Sequence, residues 1–113
     1  MGCRANVVKT YIVEYADGQW FNWQAEPLLE LLRGHDIEVW QANENDPYSD
    51  WEIQDIEGFK RLIEALEQKS SDERCKPFEA LVNSEVAEVF KEWLKYVIDG
   101  GEFAEDFIRV HWF

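Results

Sequence analysis

The chain has 113 residues, 46% of them hydrophobic, with 24 acidic and 11 basic residues and a net charge of −13. That length leaves room for one domain, residues 1–113, and the apolar share is too high for a disordered segment despite the charge. An excess of carboxylates disfavours a direct grip on nucleic acid or on an anionic membrane surface, because both need Lys and Arg.

The predicted elements run as follows. Asn6 to Tyr15 is rich in β-branched and aromatic residues and reads as a strand. Asp17-Gly18 is a hairpin turn signal, and Gln19 to Trp23 reads as the returning strand. Pro27 and Gly34 bracket a short helix whose apolar face is Leu28, Leu29, Leu31 and Leu32. In Asp36–Ala42, alternation predicts a strand with Ile37 and Val39 on one face and Glu38 and Trp40 on the other. Asn43 to Asp50 has loop composition, and Trp51-Glu52-Ile53 reads as a short strand beyond it.

Asp55 is placed to cap a second helix, with Ile56, Phe59, Leu62, Ile63 and Leu66 at helical spacing. On its polar side Lys60 and Arg61 are set to pair with Glu57 and Glu64. The polar stretch 68–76 reads as a loop, and Pro77 as the start of a helical stretch. Ser84 is the expected cap of a third helix ending at Gly100-Gly101. Phe107 to Phe113 alternates as a final strand, expected beside the first. The order β, β, α, β, β, α, α, β predicts an α+β fold: a largely antiparallel sheet of four to five strands with three helices on one face.

Motifs for chemistry are missing from the sequence. Cys3 and Cys75 read as free thiols of a cytosolic protein, and with His35 and His111 they show no zinc-ligand spacing. The oxygen-rich run from Asn43 lacks the Gly and Glu that a calcium loop needs at its sixth and twelfth positions, where Tyr48 and Gln54 stand. There is no nucleophile elbow and no glycine-rich phosphate loop. No cofactor, metal or enzymatic activity is therefore expected. The opening residues lack a secretory signal pattern, and no apolar run approaches a membrane span.

What remains is a one-sign block. Residues 1–59 carry 12 acids and three bases, and between Gly34 and Phe59 eight acids occur without a single Lys or Arg. Trp40, Tyr48 and Trp51 interleave with them. The block reads either as a solvated face or as a surface that docks on a basic partner, with carboxylates supplying the field and rings as anchors. The residues singled out for partner binding are Glu38, Trp40, Glu44, Asp46, Tyr48, Asp50, Trp51, Glu52, Asp55 and Glu57. The leading expectation is a non-enzymatic inhibitor or regulator, monomeric or dimeric, that binds a nuclease or another nucleic-acid-binding protein. Phage-encoded anti-CRISPR and antirestriction proteins, and immunity proteins against nuclease toxins, work this way as classes, and the link here is one of charge and size only. The alternatives are a module binding a sugar or a methylammonium group through Trp faces, and an enzyme with a dispersed site.

Overall fold

A computed structural model describes residues 3–10, 14–16, 20–69, 72–78, 80–100 and 106–113. The elements are β1 (Ala5–Thr10), β2 (Glu14–Tyr15), α1 (Ala25–Gly34), β3 (Val39–Gln41), β4 (Trp51–Ile53), α2 (Ile56–Glu67), α3 (Asn83–Leu94) and β5 (Ile108–Trp112). The fold is α+β: an antiparallel sheet β1-β5-β4-β3, with the short β2 extending it beyond β1, and three helices. The final strand lies beside the first, as its alternation predicts, and pairs on its other edge with β4.

Period-two alternation separates the faces of the sheet. Val39, Trp51, Ile53, Ile108, Val110 and Trp112, with Ala5 and Val7 of β1, point into a core shared with the apolar faces of all three helices. The opposite face carries Trp40, Glu52 and Arg109 in one cross-strand row, and Asn6 opposite His111 in another. Beside β1, this outer face is covered by Ile98 and Phe107, which bridge one another and pack with Val8.

Helix α1 ends in a turn held from both sides: Asp36 N–H donates to Arg33 O and Ile37 N–H to Leu32 O, each at 3.1 Å. Asp36 takes the left-handed conformation this motif requires (φ 59°), while Leu32 and Ile37 are both buried beneath it. The left-handed position thus falls two residues after Gly34, on a residue whose short polar side chain tolerates it. Asp55 caps α2 as its sequence position suggests, its Oδ1 accepting the Gly58 N–H at 2.9 Å.

Four expectations are corrected. The stretch 6–15 is not one strand, because Glu14–Tyr15 folds back antiparallel to Val8–Thr10. Of the expected returning strand 19–23, the described residues 20–23 form no strand: Trp20 makes a bridge to Ala5, but Phe21 and Trp23 have positive φ (55° and 56°), and Gln24 N–H closes a turn on Phe21 O. Packing overrides β propensity there, since Phe21 is drawn between Phe78, Phe90 and Trp93. Pro77 starts no helix, because the backbone is taken by a cross-loop ladder, Cys75 N–H to Leu81 O and Asn83 N–H to Glu73 O, both 2.9 Å. Helix α3 starts at Asn83, with Ser84 inside its first turn, and ends at Leu94, where Ile98 leaves to bridge Phe107. The Asp17-Gly18 turn lies outside the described residues. Lys60 pairs with Glu57 at 3.5 Å, but Arg61 makes no ion pair with a described residue.

The α2 cap yields a prediction. A methyl added at Gly58 would sit 2.7 Å from the Asp55 Cγ and overlap its carboxylate. Gly58→Ala therefore gains about 1 kcal/mol of helix propensity and loses a cap worth about 1 kcal/mol. The wild-type background should show little net change in the urea midpoint. In an Asp55→Ala background, with no cap left to lose, the same substitution should stabilise by about 1 kcal/mol. Equal effects in both backgrounds would mean that the cap contributes nothing.

Candidate partner-binding groove

The acidic block lies along the β3–β4 hairpin at the sheet edge, and its members take different roles. At the tip, the loop 43–50 is knotted by its own side chains. Asp46 Oδ1 accepts the Tyr48 N–H at 2.9 Å, and Ser49 Oγ donates to Asp46 O at 2.8 Å. Asp46 is thus partly spent on shaping the loop. Glu44 is exposed beside Arg33 and Glu26 in a shallow depression against α1. Asp50 is exposed, with His111 Nε2 3.6 Å from its Oδ2.

The three rings singled out differ in burial, and one of them belongs to the core. Trp51 is fully buried, its Nε1–H donating to Pro47 O at 2.8 Å. It shares the inner face with Ile53 because strand parity places it there. Tyr48 is half-buried, edge-on to Trp23 and to Trp112, and burial pushes its hydroxyl above the usual tyrosine pKa. Trp40, on the outer face, is 52% exposed.

At the hairpin base, Trp40 opens onto a groove of about 840 Å³. Glu38 and Glu52 line it from the hairpin, Asp55 and Glu57 from the start of α2. Asp36, at the end of α1, and Asp106, just before β5, bring the carboxylates among the described lining residues to six, against one ammonium, that of Lys60. Ile56, Leu94 and Val97 supply an apolar floor. Glu52 is held by Arg109 at 2.5 Å, Asp55 by its capping bond and Glu57 by Lys60. Asp36, Glu38 and Asp106 make no ion pair with another described residue.

The groove thus gathers Glu38, Trp40, Glu52, Asp55 and Glu57 of the residues singled out, and leaves Glu44, Asp46 and Asp50 at the far end of the hairpin. Asp106, Leu94 and Val97 were not singled out from the sequence; Leu94 comes from the end of α3, Val97 from just beyond it and Asp106 from the approach to β5. Asp36 was visible within the acidic block, but nothing marked it as part of a groove. Trp40 is the one aromatic ring among the described lining residues; Trp23, Tyr48, Trp112 and Trp51 form a separate edge-to-face series running into the core.

Among the described residues, no three His, Cys, Asp or Glu side chains are placed to hold a metal ion, and no helix is long and apolar enough to cross a membrane. Both cysteines are free. Burial raises both thiols above the usual cysteine pKa, reinforced at Cys3 by the nearby Asp46 carboxylate. The thiolate is the reactive form, so neither is poised as a nucleophile. With iodoacetamide near neutral pH, the partly exposed Cys3 should react more slowly than a free thiol, and the buried Cys75 only on unfolding. Rapid native alkylation of Cys75 would contradict this assignment. Comparison with protein-family models, curated proteins and solved structures finds no match.

Proposed function

We propose that this chain is a non-enzymatic binder whose β3–β4 side docks on a basic surface of a partner protein, of the kind that nucleases and other nucleic-acid-binding proteins present. The observation that carries the reading is the groove. Carboxylates from the end of α1, the hairpin, the start of α2 and the approach to β5 gather beside one exposed Trp ring. Mutual repulsion opposes such a gathering, and a cationic partner relieves it. Regulation follows by occupation: a protein seated on a nucleic-acid-binding surface excludes the phosphate backbone that the surface would otherwise neutralise.

The test compares the wild-type chain with a variant carrying Glu38→Gln, Glu44→Gln, Glu57→Gln and Asp106→Asn. None of these four carboxylates caps a helix or shapes the tip loop. Both proteins are used to capture partners from lysate at low and at higher salt, and the captured protein is then assayed for nucleic-acid binding. The expected result is a basic nucleic-acid-binding protein, retained by wild type at low salt, lost from the variant, lost as salt shortens the screening length, and inhibited by the added chain. Equal capture of the same partner by wild type and variant overturns the reading.

A further inference from the structure

The groove has a floor that charge alone does not require. Ile56, Leu94 and Val97 are each half-buried and open to it, and Trp40 is more than half exposed at its rim. An acidic face that worked by field alone would need no concavity. Here a volume of about 840 Å³ falls within the range of clefts that enclose a ligand the size of several side chains, roughly 300–1,000 Å³.

We infer that the groove takes a projecting amphipathic basic segment of a partner protein rather than a flat basic surface. The inference rests on the proposed function and narrows it. Apolar side chains of the segment pack on Ile56, Leu94 and Val97. Its Lys or Arg side chains meet Asp36, Glu38 and Asp106, and one of them lies against the Trp40 face. The sign of the occupant follows from charge complementarity, because among the described lining residues six carboxylates face one ammonium. Its apolar half follows from the floor, which stays wet beneath a purely polar ligand. The exposed Trp with carboxylates around it is the arrangement that favours a cation over a ring.

Three labelled peptides of equal charge test this by fluorescence anisotropy against the full chain. One is a Lys/Leu peptide with its leucines on one helical face, the second alternates Lys and Leu, and the third is oligolysine. At least one Lys/Leu peptide should bind about tenfold tighter than oligolysine and lose less affinity as salt is raised, because its apolar contacts are not screened. Trp40→Ala should weaken that peptide by about tenfold, the loss typical of an interface Trp, and Val97→Thr by a few-fold. Glu85→Gln, exposed in the first turn of α3 and at the opposite end of that helix from Leu94, should leave it unchanged. Thermal melts of each variant confirm folding, and Trp40→Ala, on the exposed face, serves even if Val97→Thr destabilises.

Oligolysine binding as tightly as both Lys/Leu peptides, with no effect of Trp40→Ala or Val97→Thr, overturns the inference while leaving the docking reading intact. Failure of all three peptides to bind overturns the inference outright. The docking reading itself fails only in the partner-capture comparison.

Discussion

Replacing Trp51 with alanine is expected to cost about 3–5 kcal/mol of folding stability. The indole is fully buried between Gln41 and Val110 in the sheet register, with its ring 5.0 Å from that of Trp112 and its N–H on the Pro47 carbonyl. Truncation leaves a cavity on the inner face and removes the donor that ties the tip loop to β4. Against a total stability of about 5–15 kcal/mol for an ordinary domain, a large share is lost. With an m-value of about 2 kcal/mol/M, the urea midpoint should fall by roughly 2 M. Trp40→Ala, on the opposite face of the same hairpin, should stay within about 1 kcal/mol of wild type. A Trp51 variant no less stable than the Trp40 variant would contradict the assignment of one ring to the core and the other to the surface. The order of experiments follows: loss of partner capture by a Trp51 variant reports unfolding, and only Trp40 interrogates the interface.

The same two residues show how far the sequence speaks. Alternation of Ile37 and Val39 against Glu38 and Trp40 places Trp40 outside, and the structure keeps it there. The same rule applied to Trp51, Glu52 and Ile53 puts Trp51 inside with Ile53. That signal was present but was masked by the acidic neighbours, which favour a surface reading. Composition could not disclose Asp106, because its place in the groove lining depends on how β5 is approached in the fold. The positive φ of Phe21 and Trp23 was equally hidden: aromatic rings favour strands, and only burial of Phe21 among Phe78, Phe90 and Trp93 overrides that preference. Local periodicity is decided by a residue's neighbours in sequence. The groove is decided by contacts between elements far apart in the chain, and those leave no periodic trace.

Arg109→Met is expected to move stability and binding in opposite directions. Arg109 pairs across β5 and β4 with Glu52, whose side chain is only 17% exposed, and its guanidinium lies over the Phe107 ring. Methionine keeps the stem packed on that ring but removes the charge. The Glu52 carboxylate is then left largely desolvated among the other carboxylates of the groove, at a cost of about 1–3 kcal/mol. Adding Glu52→Gln removes the stranded charge and should recover most of that loss, which is how a pair differs from two independent contacts. Binding runs the other way under the proposed function. Losing a cation from this face deepens the negative field, so capture of a basic partner at low salt should strengthen a few-fold in Arg109→Met, as long as the variant is folded at the assay temperature. Glu52→Gln alone should weaken it. If Arg109→Met shifts the urea midpoint no more than an exposed surface substitution does, the pair is too well solvated to organise the sheet. If it destabilises but also weakens capture, Arg109 itself touches the partner, and the surface is read by shape and hydrogen bonding as well as by charge.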